Sequence, residues 1–76
     1  MKKYAGANNN SGVVCYEIGD DYTMIKFVGS ERIYLYTYAS AGIIAIEKMK
    51  MLAKKGKGLN TYINQIVKEK YERIVD

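Results

Sequence analysis

The chain has 76 residues, of which 49% are hydrophobic and 26% charged, and it contains no histidine and a single cysteine. Its length allows one domain rather than several, its apolar content excludes an intrinsically disordered chain, and the lack of histidine and of a second cysteine excludes an internal disulfide and an ordinary zinc site. The formal net charge of +4 arises after residue 46, because positive and negative residues cancel over residues 1–46, so an anionic partner is expected for the C-terminal part.

Residues 1–12 form a polar tract that precedes the first apolar alternation. Its polar and flexible residues are Gly6, Asn8, Asn9, Asn10, Ser11 and Gly12. Such a tract, which shows no periodicity, predicts a flexible N-terminal arm. The remaining residues, 13–76, are predicted to form a single domain.

Three successive segments alternate between apolar and polar residues and are separated by glycine-containing turns. They span residues 13–18, 22–28 and 32–38. This pattern predicts three strands, and the short turns predict that the strands pair as an antiparallel meander. In the third segment, Tyr34, Tyr36 and Tyr38 fall on one face.

After the third predicted strand the apolar period changes to about 3.6, which predicts a helix from residue 41 to about residue 55. Ser40 is its predicted N-cap and Gly56 its predicted end. Its narrow polar strip consists of Glu47, Lys50 and Lys54. The rest of its circumference is mostly apolar, and a small sheet covers only one side of it, so the other side needs the second helix or another copy of the chain. We therefore expect a homo-oligomer.

A second helix is predicted to begin at Asn60. Its apolar arc comprises Tyr62, Ile63, Ile66, Val67, Tyr71 and Ile74. The predicted element order is therefore β-β-β-α-α, an α+β fold in which a three-stranded antiparallel meander packs against two α-helices.

The segment between the two predicted helices is the strongest candidate for a binding site. The predicted ligand-binding residues there are Lys54, Lys55, Gly56, Lys57, Gly58, Asn60 and Thr61. A helix start presents unpaired amides, glycines allow a ligand to approach the backbone, and lysines add positive charge, so the pattern favours a phosphate group. The glycine spacing is not that of a Walker loop. The alternative interpretation is a glycine turn between two helices, with lysines that keep the surface soluble.

The tyrosine row of the third predicted strand is a second candidate. Tyr34, Tyr36 and Tyr38 would form an aromatic platform on which nucleobases stack. Tyrosine is also a favoured strand residue, so the alternative is a row that packs under a helix or at a dimer contact.

No group of residues predicts catalysis. Asp20 and Asp21 occupy a turn, and the spacing brings no second carboxylate or base to a nucleophile. Cys15 lies inside a predicted strand and has no histidine to activate it, which favours a buried structural thiol. We therefore expect a protein that is not an enzyme and that carries no cofactor or metal.

Two short motifs resemble the KTSC domain family. They are Tyr34-Leu35-Tyr36 in the third predicted strand, and Lys55-Gly56-Lys57 followed by Asn60. The family is a small module found at the end of some lysyl-tRNA synthetases and also alone in bacteria and phages. The resemblance covers residues 11–71 and implies a fold of strands followed by helices, with a suspected role in binding RNA.

The chain departs from the family pattern in three places. It has Ala39-Ser40 where the family shows a proline, Lys54 where the family shows a serine, and Leu59 where the family shows an aromatic residue. These changes add charge and weaken the transfer of a binding preference. Among free-standing phage proteins of this kind, the resemblance implies a counter-defence role.

Two hypotheses of different class follow. The first is a non-enzymatic module that binds a phosphate-bearing ligand, either RNA or a small linear or cyclic nucleotide that it sequesters. The second is a protein-interaction module or inhibitor that meets an acidic surface of a host protein; a structural oligomer whose loop binds nothing is the third possibility. The lone cysteine and the lack of an apolar segment of roughly 20 residues lead us to expect a cytoplasmic protein without a membrane partner.

Overall fold

The alternating segments form strands of an antiparallel sheet. The computed structural model of the protein describes residues 1–6 and 12–75, and within those ranges five strands form one sheet in chain order. They are β1 (Lys2–Lys3), β2 (Val13–Ile18), β3 (Tyr22–Phe27), β4 (Ile33–Thr37) and β5 (Arg73–Val75). The α+β class is confirmed, and the predicted meander corresponds to β2, β3 and β4, but the sheet is wider than predicted.

The helices lie between β4 and β5 in the chain and cover one face of the sheet. They are α1 (Tyr38–Ala41), α2 (Ile43–Lys55) and α3 (Leu59–Tyr62), which continues as a π-helical segment over Ile63–Val67. The core packs the sheet residues Tyr16, Ile25 and Tyr36 against Ala45, Ile46, Met49, Leu59, Ile63 and Val67 of the helices. Burial of this apolar surface is the main force that holds the helices on the sheet.

The N-terminal residues belong to the fold, so the predicted flexible arm is wrong for residues 1–6. Lys2 pairs with Tyr16 and Lys3 with Cys15. Tyr4 is only 1% exposed, and its ring meets Tyr16 edge to face at a centroid distance of 6.4 Å. The apolar area that the Tyr4 ring buries stabilises the folded position of this segment, although its neighbours in the sequence are polar. Residues 7–11 of the predicted arm lie outside the described residues.

The first helical region begins earlier than predicted, and Ser40 is not its N-cap. Thr37 caps α1 by accepting from the N–H of Ser40 at 3.1 Å, and the Ser40 hydroxyl accepts from the N–H of Thr37 at 3.0 Å. This reciprocal pair is a capping box. Gly42, at φ 94° and ψ 151°, then separates α1 from α2 in a conformation that is essentially restricted to glycine.

The second helical region ends earlier than predicted. Its apolar arc was expected to extend to Ile74, but the helix stops at Val67 and Lys68 adopts a φ of 34°. The Tyr36 hydroxyl donates to the carbonyl of Lys68 at 3.2 Å and holds this turn. The chain then returns as β5, which pairs with β4 and satisfies backbone groups that a sheet edge would leave unpaired.

Candidate functional site

The two glycines of the predicted site both adopt left-handed backbone conformations. Gly56 ends α2 at φ 76°, and Gly58 precedes α3 at φ 83°. A side chain is strained at such angles, so glycine is required for the turn itself. The turn between two helices, which was the alternative interpretation of this segment, therefore accounts for both residues.

Backbone amides of this loop donate within the protein. The N–H of Gly56 donates to the carbonyl of Leu52 at 2.9 Å, and the N–H of Leu59, at the start of α3, donates to the hydroxyl of Tyr4 at 3.1 Å. Both amides are thereby unavailable to an anion. The N-terminal segment also lies directly on the loop, since a Cβ at Gly56 would stand 2.7 Å from the Cβ of Ala5.

The lysines of the predicted site remain open to solvent. Lys54, Lys55 and Lys57 are exposed, and no carboxylate of the described residues forms an ion pair with them. Asn60 is half-buried and its carboxamide lies against Gly12, while Thr61 is exposed. The structure therefore keeps the positive charge of the predicted site but not two of the amide donors that a phosphate cradle would use.

The tyrosines do not form an exposed platform, and this expectation is wrong. Tyr36 is 1% exposed and lies in the core; Tyr34 is partly buried and meets Tyr71 edge to face at 4.9 Å. Tyr38 begins α1, and its hydroxyl donates to Glu47. The helices pack on this face because it is the more apolar one, which is the alternative that the sequence left open.

The local environment alters the ionisation of the buried member of the row. Burial raises the pKa of the Tyr36 phenol well above its ordinary value, and electrostatic repulsion from the neighbouring Tyr34 and Tyr71 phenol groups adds to the rise. A phenol that stays protonated can keep donating to the Lys68 carbonyl. Tyr36 therefore acts in this structure as a core residue with a polar tip.

The uncovered side of α2, which the sequence predicts to be mostly apolar, carries both apolar and basic residues. Ile44, Lys48, Met51 and Lys55 follow one another at intervals of i, i+4, i+7 and i+11 and are all exposed. On a helix of 3.6 residues per turn they lie within roughly 60° of one another. Ile44 is 83% and Met51 is 49% exposed. We call these four residues the α2 stripe; the same helical periodicity that predicted the core would have revealed it.

The acidic residue closest in sequence to this stripe is already engaged. Glu47 forms an ion pair with Lys50 at 2.7 Å and accepts from the hydroxyl of Tyr38. The hydrogen bond from Lys50, followed by that from Tyr38, lowers the pKa of the Glu47 carboxyl. Lys48 and Lys55 therefore give the stripe a positive charge that Glu47 does not neutralise.

A cavity of about 390 Å³ opens beside the C-terminal end of α2. Its lining residues are Met1, Lys2, Tyr16, Glu17, Ile18 and Lys54. Lys2 and Lys54 favour an anionic occupant, since the Glu17 carboxylate accepts from the Tyr22 hydroxyl at 3.3 Å, and this volume falls within the usual range of small-molecule sites. Lys54 thus belongs both to the predicted loop site and to this cavity.

Two observations concern metal binding and the single cysteine. Among the described residues, no three histidine, cysteine, aspartate or glutamate side chains lie close enough to hold a metal ion. Cys15 is a half-buried free thiol. In the part of the chain that the structure describes, every helix is too short or too polar to cross a membrane.

Comparisons with known proteins give no further assignment. No protein-family model, curated protein or solved structure matches this chain. The resemblance to the KTSC domain family therefore stays a prediction.

Proposed function

We propose that this chain is a non-enzymatic interaction module that binds a partner protein through the α2 stripe. The observation that carries the proposal is the 83% exposure of Ile44 beside Met51, Lys48 and Lys55 on one helix face. A partner that fits it presents an apolar ridge flanked by carboxylates. Apolar side chains in such a contact supply affinity, and the charges supply orientation and a faster encounter.

The charge of the stripe favours an acidic partner over a second copy of the same stripe. Two stripes laid face to face would oppose Lys48 and Lys55 of one copy to the same lysines of the other, and like charges in an interface are unfavourable. The resemblance to a family that occurs in phages supports a host protein as the target. The free thiol of Cys15 supports a reducing compartment such as the cytoplasm.

The proposal is tested by NMR titration with a designed helical peptide that has leucines on one face and glutamates on both flanks. We expect shift changes at the four stripe residues, and a Kd that Ile44→Asp weakens by roughly tenfold to a hundredfold, since burying an isoleucine contributes about 1.5–3 kcal/mol. Val28→Asp is the matched control, because Val28 is 66% exposed but lies outside the stripe.

Two further outcomes decide the role of charge. Lys48→Glu with Lys55→Glu should abolish binding of the acidic peptide and permit binding of a matched peptide in which lysines replace the glutamates. Shift changes spread over the sheet, or equal affinity of the wild type for both peptides, would refute the assignment of the stripe.

A second candidate function is the binding of a phosphate-bearing ligand, and the cavity beside Lys54 is the observation that favours it. Lys2 and Lys54 both line this cavity and would contact the phosphate. The test is a thermal-shift series with ATP, cyclic AMP and a short oligouridine, compared between the wild type and Lys54→Glu. Protection that Lys54→Glu removes and Lys48→Glu retains would support the cavity; for the RNA, affinity should fall with salt with a logarithmic slope of about 0.7 per phosphate contacted.

A further inference from the structure

The face of the sheet that points away from α2 carries an ordered row of side chains. The strand register places Glu17 opposite Met24, Met24 opposite Leu35, and Leu35 opposite Arg73. Cross-strand partners point to the same face. From β2 to β5 the row is therefore acidic, apolar, apolar and basic. We call these four residues the open-face row.

The helices lie on the opposite side of the sheet. Tyr16, Ile25 and Tyr36, which contact the helices in the core, alternate with the row along the same strands and so point the other way. Leu35, which is only 6% exposed, lines an open cavity of about 380 Å³ together with Met24, Thr37, Asp21, Glu72 and Arg73. The centre of the open face is thus a depression that is apolar at Met24 and Leu35 and has polar and charged residues on its walls.

We propose that this face packs against the same face of a second copy of the chain. A row turned by 180° about an axis parallel to the strands and laid over itself is reversed in order. Glu17 of one copy then lies over Arg73 of the other, and Met24 lies over the depression at Leu35. Because the reverse of the row is also its complement in charge and hydrophobicity, the row meets the requirement of a two-fold symmetric contact.

The neighbouring row adds a mixed contact. Cys15 lies opposite Lys26, Lys26 opposite Ile33, and Ile33 opposite Val75, so the same rotation lays the aliphatic part of Lys26 over Ile33 and Val75 over Cys15. Few side chains take part and Leu35 is already buried within one chain, so a weak and concentration-dependent dimer is expected. The homo-oligomer expected from the sequence is thereby assigned to the sheet rather than to α2.

The two proposals are independent. A dimer through the open face leaves both copies of the α2 stripe exposed on its outer sides, because α2 packs on the other face of each sheet. Loss of dimerisation would leave binding of the acidic peptide to a single chain intact. Failure of the peptide to bind would leave the oligomeric state unchanged.

The test is a charge-reversal cycle followed by sedimentation equilibrium at protein concentrations up to about 1 mM, where contacts of small area become measurable. We expect Glu17→Arg and Arg73→Glu each to weaken the dimer at least tenfold, because each opposes two like charges across the interface. The double variant Glu17→Arg/Arg73→Glu should regain the wild-type association, since the reversed row remains its own complement. Circular dichroism establishes that each variant is folded.

A second measurement does not depend on any substitution. In a mixture of isotopically labelled and unlabelled wild-type chains, filtered nuclear Overhauser spectra should show contacts between the Met24 methyl of one copy and the Leu35 methyls of the other. A monomer throughout the concentration range, a double variant as dissociated as the single ones, or a dimer that Ile44→Asp dissociates while Arg73→Glu does not, would each overturn the proposal.

Discussion

Replacement of Tyr4 by phenylalanine tests whether the N-terminal segment is part of the fold. In the native structure the Tyr4 hydroxyl accepts from the N–H of Leu59 at 3.1 Å, and the two residues are 1% and 0% exposed. Tyr4→Phe keeps the ring in the core but removes this acceptor. The N–H of Leu59 is then left without its partner in a site that water does not reach, and such a loss costs about 1–3 kcal/mol.

The assay is thermal unfolding followed by circular dichroism. For a domain of 60–100 residues, 1 kcal/mol corresponds to roughly 4–8 °C in Tm, so a loss of about 2 kcal/mol predicts a fall of roughly 8–16 °C. Tyr16→Phe is the matched control: Tyr16 is 9% exposed, and its hydroxyl makes no hydrogen bond with the described residues. Its substitution should therefore change Tm little.

Two outcomes of this experiment would contradict the role assigned to the Tyr4 hydroxyl. If Tyr4→Phe and Tyr16→Phe had the same Tm as the wild type, the Tyr4 hydroxyl would make no bond that the fold needs, and residues 1–6 would be the flexible arm that the sequence suggests. A large loss in both variants would show that the phenol rings matter by their packing and not by the bond to Leu59.

Three further predictions concern single positions. Gly56→Ala should destabilise the fold more than Gly29→Ala, because both glycines have a φ of 76° but only a Cβ at Gly56 would lie 2.7 Å from the Cβ of Ala5. In urea unfolding, both variants should lose about 1–2 kcal/mol to backbone strain, and Gly56→Ala should lose about 1–3 kcal/mol more to the contact. Equal losses would contradict the close approach of residue 5. Thr37→Ala should cost about 0.5–2 kcal/mol in the same assay through loss of the cap of α1, and an unchanged stability would mean that α1 does not depend on this cap. Burial raises the pKa of Tyr36 above the ordinary 10.0, so its contribution to stability is complete below pH 10.0 and is lost as the pH rises further, where the phenol ionises in the unfolded chain but not in the folded one. Tyr36→Phe should therefore make the decline of Tm at alkaline pH shallower. An identical decline in both proteins would contradict the raised pKa of Tyr36.

Sequence periodicity was sufficient to identify the strands and the helix that have a regular spacing of apolar side chains. The alternation in β2, β3 and β4 and the 3.6-residue period of α2 identify these elements without knowledge of their neighbours, because the side-chain spacing of strands and helices is a property of the backbone alone. Gly56 likewise marks the end of α2, since few other residues accept a left-handed cap.

The candidate site was predicted only in part, because the sequence shows which side chains are charged but not which backbone amides are already bonded. The sequence shows the positive charge of Lys54, Lys55 and Lys57, and their exposure follows because a charged ammonium group is costly to bury. Whether a loop amide faces a ligand depends on what else approaches it, and here Tyr4, more than fifty residues away in the chain, accepts from the amide of Leu59. Such a contact has no local signal.

Only the tertiary structure decided which of two compatible patterns each remaining segment follows. The apolar arc through Tyr71 and Ile74 suits a helix, yet the unpaired edge of β4 makes a strand more favourable there. Alternation in β4 separates its two faces, but the side on which the helices settle makes Tyr36 a core residue and leaves Leu35 on the face that the helices do not cover. Local sequence sets the periods, and the competition for buried surface and backbone partners over the whole chain sets how they are used.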